Sequence, residues 1–329
     1  MTLRQLLPRR RFLQLAGGAG VLAAAPRPTF ALDYPTKPIR WIIGYPAGGS
    51  ADTASRIMAH WLNERLGQPI IIENKPSAAT NISLQAAINS PADGYTLVYL
   101  GTSATVNPSF FEQLPFDVLR DIAPVSGFAD FPLAFVVNKS IPSNDLAGFI
   151  AYAKERPGRI SMASYGAGTT SHLAGELLQS MAGIKLVHVP YRGEAFGLAD
   201  MISGHVEVMF ATVSASMPHI RSGALRALAV TRRERYEELP AVPTVGETVP
   251  GYEALSWGGV GAPRGTPEEI ISRLNREINA GLRDPAVRKK LSDVAALPIL
   301  YSPAEFAAFM AAETKKWAEV IRRAGIKAE

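Results

Sequence analysis

The sequence predicts an α/β protein of two lobes, each built on a mixed, mostly parallel sheet flanked by helices. Three observations carry that reading. Short runs rich in apolar and β-branched residues alternate with helical patterns through most of the chain, the arrangement that produces parallel sheets covered by helices. The runs are too many for one sheet of ordinary size, and 329 residues suit two domains with substantial cores. A strand, a glycine-rich turn and an amphipathic helix follow one another once in each half of the chain.

In chain order the strand-like runs are IRWIIGY (39–45), PIIIEN (69–74), YTLVYLG (95–101), LAFVVN (133–138), RISMAS (159–164), KLVHVPY (185–191), VEVMFA (206–211), LRALAVT (225–231) and SWGGVGA (256–262). FADFPLAFVVN, residues 128–138, is placed to carry the chain from the first lobe to the second, and the proline- and glycine-rich stretch 239–255 to carry it back. The lobes are therefore expected at residues 32–131 plus 253–329, and at 132–252. The C-terminal part, from PEEIISRLNREINAGL through EFAAFMAAETKKWAEVI, has apolar residues at three- and four-residue spacing and reads as helices covering the first lobe.

Residues 1–31 read differently. PRRRFLQ (8–14) sets paired arginines before the apolar run Leu13 to Ala25, which is too short to span a bilayer. Thr29-Phe30-Ala31 offers small residues at both cleavage-critical positions. This is the pattern of an export signal of the twin-arginine kind, with Ala31 as the last residue removed. The segment holds five of the 34 basic residues and no acid, which leaves 29 basic against 29 acidic residues in the mature chain. The pI of about 9.4 thus belongs mostly to the signal, and no basic footprint argues for nucleic acid. The absence of cysteine excludes disulfides, thiolate metal sites and a lipid-anchored cysteine. A free, monomeric protein in the periplasm is expected.

The two glycine-rich starts carry the chemistry. In IRWIIGYPAGGSADTASRIMAHWL (39–62), Gly48 and Gly49 precede a helix with Ala54, Ile57, Met58, Trp61 and Leu62 on one stripe. RISMASYGAGTTSHLAGELLQSM (159–181) repeats the plan with Gly166 and Gly168 before Leu173, Leu177 and Met181. The first N–H groups of a helix lack internal partners and lie at the positive end of its dipole, and glycine admits a ligand to the backbone. Anions bind at such places. Either loop alone reads equally as a tight turn; two at like places read as a ligand site. Gly44-Tyr-Pro-Ala-Gly48-Gly49 has phosphate-loop spacing, but Ser50 stands where that loop needs lysine. Gly166-Ala-Gly168 lacks the third glycine of the dinucleotide fingerprint. A carboxylate fits better, bound by N–H groups and by Ser164, Thr169, Thr170 or Ser171.

YPAGGSAD (45–52), ENKPSAATNIS (73–83), DGYTLVYLGTSATVNP (93–108), SYGAGTTSHL (164–173), VPYRG (189–193), SGALRALAVT (222–231), LPAVPTVGE (239–247) and WGGVGAPRGTP (257–267) together resemble the Bug family. These are the periplasmic receptors associated with tripartite tricarboxylate transporters. The resemblance covers essentially the whole mature chain. It implies a type II periplasmic-binding-protein fold that closes over one small carboxylated ligand in a cleft between the lobes, no cofactor, and a pair of membrane subunits as partners. It further implies that Tyr45, Ala47 and Asp52 line the cleft, with one ligand carboxylate reached partly through ordered water. Gly166, Gly168, Thr169 and Thr170 match the loop that receives a carboxylate directly, and Asn81, Ser103, Ala104 and Thr105 match further cleft positions. The sequence departs from the family pattern twice. Ser77 and Ala79-Thr80 replace a glycine-richer stretch, and Ala211-Thr212 stand where an aspartate and an asparagine are common. Without that aspartate a ligand ammonium group has no obvious partner.

His172, one turn into the second helix, reads as a ligand contact or a packed histidine. Arg192 reads as a carboxylate partner or as a loop arginine bound to nearby backbone. The remaining histidines, His60, His188, His205 and His219, show no metal spacing. Two other classes share these residues. An exported hydrolase would use Ser103 after its strand, although the last glycine of the nucleophile elbow is missing and no histidine carries a motif marking it as the base. A receptor feeding a signalling partner would use the same cleft.

Overall fold

In the computed structural model, which describes residues 33–326, the β-rich runs form ten strands in two five-stranded sheets. They are Ile39–Ile43 (β1), Ile70–Asn74 (β2), Thr96–Gly101 (β3), Ile122–Phe131 (β4), Leu133–Val137 (β5), Ser161–Ser164 (β6), Val187–Pro190 (β7), Val208–Thr212 (β8), Arg226–Val230 (β9) and Ser256–Pro263 (β10). The export signal expected over residues 1–31 lies outside the described residues.

The two sheets have the same wiring. The first has the order β2-β1-β3-β10-β4 and the second β7-β6-β8-β5-β9. In each, three adjacent strands are parallel, the fourth is antiparallel to both its neighbours, and the fifth again runs with the first three. Four of five strands thus share one direction, the mixed, mostly parallel sheet expected. The chain passes between sheets twice, with Pro132 alone separating β4 from β5, and the return lying between β9 and β10. The strand after each passage is the antiparallel one.

The longer helices are Ser50–Leu66 (α1), Asn81–Ile88 (α2), Thr102–Phe110 (α3), Leu146–Lys154 (α4), Thr170–Ala182 (α5), Glu194–Ser203 (α6), Val213–Arg221 (α7), Glu268–Arg283 (α8), Pro285–Ser292 (α9) and Pro303–Ala324 (α10). Spacing explains their faces. α8 buries Ile270, Ile271, Leu274, Ile278 and Leu282, a three/four repeat. α1 buries Ala54, Met58 and Leu62, and its Trp61 indole donates to Glu277 O of α8 at 2.8 Å.

α10 does not belong to one lobe. Phe306 and Met310 pack in the core beside β3 and β10, whereas Trp317, Val320 and Ile321 pack with Leu133, Phe135 and Phe210 of the second sheet. The sequence reading put all the C-terminal helices over the first lobe. A helix of 22 residues is ~33 Å long at 1.5 Å per residue, enough to reach both. Val106 and Phe110 of α3 join the same second core. The lobes are therefore held together by two helices as well as by the two passages of chain.

Among the described residues no helix is long and apolar enough to cross a membrane, and no group of acidic and histidine side chains is placed to hold a metal ion.

Candidate functional site

In an open parallel sheet, ligands gather at the carboxyl ends of the strands, where the following helices begin. Here α1 follows β1, α3 follows β3, α5 follows β6 and α6 follows β7. All four begin without a side-chain cap, at Gly49, Gly101, Thr169 and Gly193. By contrast α4, α9 and α10 are capped by Asp145, Asp284 and Ser302. α8 is also uncapped, but it follows the antiparallel β10 and so lies at the other end of its sheet. Uncapped starts leave N–H groups without acceptors at the positive end of each helix dipole, in both lobes and at corresponding places.

The first wall is braced by Asp52. Its carboxylate accepts Gly48 N at 2.9 Å, Arg56 Nε at 2.9 Å and Asn74 Nδ2 at 2.9 Å, while Asn74 Nδ2 also reaches Tyr45 O at 3.0 Å. Burial alone would raise its pKa, but the bonds from Arg56, Gly48 and Asn74 together hold it below the usual value. Asp52 is buried and shapes the loop from behind. That leaves Ala47 exposed at the rim and Tyr45 half-buried, its hydroxyl 3.1 Å from Ser103 Oγ. Burial pushes the Tyr45 phenol up, against a smaller opposing effect of Ser103. Gly44 has no room for a side chain, since a Cβ there would stand 2.4 Å from Thr80 Cβ. Asn81 begins α2, and its Oδ1 accepts Asn107 Nδ2 at 2.6 Å. Ala104 packs in the first core and Thr105 Oγ1 donates to Thr102 O at 2.8 Å within the helix. Of the serine-led triplet, Ser103 alone reaches Tyr45.

The second wall is the Ser164–Thr169 turn. The buried Ser164 hydroxyl lies 2.7 Å from His188 Nε2 and accepts Gly166 N at 3.2 Å. Thr169 Oγ1 donates to Gly166 O at 2.6 Å, and Gly168 N donates to His172 Nδ1 at 3.2 Å. His172 is buried and stacks on His188, ring centroids 3.7 Å apart. The pair packs behind the turn. His188 is held down at about 4, first by burial and then by the neighbouring His172. The spare N–H groups at this start are those of the first turn of α5, beginning with Thr170.

Two residues that sequence reasoning passed over, Tyr165 and Glu194, join the walls. Tyr165 comes from the second lobe, bonds to Thr170 and to Ser256 at the start of β10, and lies close to Tyr45; burial pushes its phenol well up. Glu194 opens α6 and bonds to Thr212, its Oε1 to the backbone N–H and its Oε2 to Oγ1 at 2.8 Å. Thr212 caps α7. Burial raises the Glu194 carboxyl to about 7, in spite of the two Thr212 bonds. Ala211 packs in the core, so the carboxylate beside Thr212 is supplied by a residue 18 positions earlier. The one available signal in the sequence was an acid directly after a glycine at a strand-to-helix turn. From the Gly48–Gly49 part of the first wall a groove of about 690 Å³ runs to the second lobe, with Gly48, Gly49, Ser50 and Thr53 on one side and Glu194, Ser214 and His219 on the other. The start of α1 therefore faces the starts of α6 and α7.

Residues 54–326 match the family described as the tripartite tricarboxylate transporter family receptor. The chain is 37% identical over 320 residues to Protein BugT of Bordetella pertussis, covering 96% of this chain and 98% of that one. Among solved structures, R. palustris Rpa4515 with adipate superposes with a TM-score of 0.82 at 35% identity, covering 90% of this chain and 99% of the other. MatC from Rhodopseudomonas palustris with bound malate gives 0.77 at 28% identity, covering 88% and 100%. Paired sheets of like wiring, uncapped helix starts in both, and similarity along nearly the whole length agree, and the chain belongs to the tripartite tricarboxylate transporter receptor family.

Proposed function

We propose that this chain is an exported solute-binding protein that captures a small organic carboxylate between its lobes, residues 32–131 with 253–329 and residues 132–252, and passes it to the membrane subunits of a tripartite transporter. The observation that carries the proposal is the set of uncapped helix starts, α1 and α3 in one lobe and α5 and α6 in the other. Two related proteins have adipate and malate bound. The ligand-facing groups are Tyr45, Ala47, Asn81 and Ser103 with the N–H groups of α1 and α3, and Thr169, Thr170 and Tyr165 with those of α5. Asp52, Ser164, Gly168 and His172 hold the loops in shape.

Magnitudes require both lobes. A micromolar ligand needs about 8 kcal/mol net, and hydrogen bonds to a charged group contribute roughly 1.5–3 kcal/mol each. A few bonds from one wall barely offset desolvation and lost ligand freedom. Contacts from both walls suffice, and because they exist together only when the lobes are closed, the ligand favours closure.

The site binds without reacting. Ser103 has Tyr45 as its hydroxyl partner, and Ser164, though beside His188, is fully buried and engaged with Gly166. Neither serine is set up as a nucleophile with an accessible base. The signal is removed after Ala31.

The test is a thermal-shift screen of the mature chain against adipate, malate, citrate and aromatic acids, beside ester substrates as a check for turnover. An acid at 100 times its Kd adds about 2.7 kcal/mol. Failure of every acid to stabilise the protein at millimolar concentration, or ester turnover abolished by Ser103→Ala, would overturn the proposal.

A further inference from the structure

The groove between the start of α1 and the starts of α6 and α7 holds a carboxyl group that the proposed function does not use. Glu194 lines it, opposite Gly48, Gly49 and Ser50. The group is fixed from behind. Thr212 N–H and Oγ1–H donate to its two oxygens, and Thr212 Oγ1 in turn accepts Ser214 Oγ at 3.1 Å and Ala215 N at 3.3 Å. A carboxylate offers about four acceptor positions. Thr212 takes two and leaves two for whatever enters the groove.

No cation among the described residues balances this charge. Among the described residues Glu194 makes no ion pair, and the influences on its titration are burial and Thr212 alone. The other ionisable groups along the groove are His219 and Asp293, and Tyr165 lies near enough to feel the Glu194 charge. A half-desolvated carboxylate with open acceptor positions is stabilised by a donor or a cation and destabilised by a second anion. The facing wall has the opposite character, being the uncapped positive end of α1.

Resting on the carboxylate-receptor reading, we infer that Glu194 is a specificity-determining residue of this groove. The ligand carries one carboxylate, which the uncapped helix starts receive, and at its other end a hydroxyl or ammonium group, which donates to Glu194. Fully ionised α,ω-dicarboxylates are selected against. Glu194 thus restores a partner for a ligand ammonium group, which the sequence had left without one at Ala211.

The experiment compares matched acids of four to eight carbons: the ω-hydroxy acid, the ω-amino acid and the α,ω-diacid of each length. Calorimetric Kd values are measured at pH 8 on the mature wild type and on Glu194→Gln, which keeps the side-chain shape. The wild type binds the best hydroxy or amino acid at least tenfold more tightly than the diacid of equal length, and Glu194→Gln reduces that preference below threefold. Diacids binding the wild type as tightly as their hydroxy and amino counterparts would overturn the inference while leaving the receptor reading intact. So would a preference unchanged in Glu194→Gln. Absence of binding by every acid in both folded proteins overturns the receptor reading and the inference with it. If Glu194→Gln does not fold, Kd values of His219→Gln at pH 6 and pH 8 serve instead, with the groove's imidazole removed. The preference over diacids falls at pH 6, and a preference that does not change with pH overturns the inference.

Discussion

A Cβ placed on Gly168 would stand 3.0 Å from the ring of Phe110, so the turn before α5 in the second lobe meets α3 of the first with no space for a side chain. Gly168 also has φ +72, a conformation that costs other residues roughly 1–2 kcal/mol. Gly168→Ala therefore both strains the turn and pushes it from Phe110. The expected outcome is a loss of roughly 1–2 kcal/mol in stability, read by urea unfolding, and a Kd for the best screened acid weakened by tenfold or more. Unchanged affinity would remove this turn from the site.

Ala79 and Thr80 adopt φ 51 and 63, a conformation that favours glycine. The strain is relieved when Ala79 becomes Gly, although the unfolded chain gains freedom that offsets part of it. Ala79→Gly is expected to raise stability by up to about 1 kcal/mol, measured as a higher urea midpoint at constant m-value. Ala79 O accepts Asn107 Nδ2 at 2.8 Å, so a fall in stability would mean that the side chain itself supports that contact.

Two buried acids make stability fall as pH rises. Glu194 is raised to about 7 and Asp130 to about 6, each chiefly by burial, with the Arg232 charge opposing in the second case. Between the ordinary values, 3.8 for aspartate and 4.5 for glutamate, and these folded values, the native state binds more protons than the unfolded chain, so stability decreases with pH in that window. Glu194→Gln removes one of the two contributions. It is expected to gain about 1–3 kcal/mol at pH 8 relative to wild type and nothing at pH 4, by urea unfolding at the two values. Equal effects at both would show that the carboxyl titrates in the folded protein where it does in the unfolded chain, with no upward shift.

Trp317 is fully buried and its indole donates to Glu313 at 2.9 Å. It lies in the half of α10 that packs on the second sheet, while Phe306 lies in the half that packs on the first. Trp317→Ala is expected to cost about 3–5 kcal/mol and to split thermal unfolding into two transitions by calorimetry, because the helix no longer ties the lobes. A single transition, merely lowered, would mean that the two passages of chain suffice as the tie.

What was legible before folding was whatever local pattern encodes. Alternating strand and helix periodicity located nine of the ten strands closely, since side-chain periods of about 2 and 3.6 follow from backbone geometry alone; β4, Ile122–Phe131, was not among the runs, and only its end was read, as the passage between lobes. The glycine-rich starts at Gly48–Gly49 and Gly166–Gly168 were visible because a turn needing positive φ or close approach admits few other residues. Asp52 and Ser164 illustrate the limit. Their proximity to those turns was evident, but their engagement from behind, with Asn74 and with His188, depends on residues 22 and 24 positions away.

By itself the sequence determined two α/β lobes and a supply of helix starts suited to an organic anion. The tertiary structure decided which starts oppose one another, that α10 spans both cores, and that Glu194 occupies the acceptor position beside Thr212. The physical reason is range. Propensity, capping and periodicity act over a few residues, whereas the direction of a buried carboxylate and the partner across a groove depend on the packing of elements far apart in the chain.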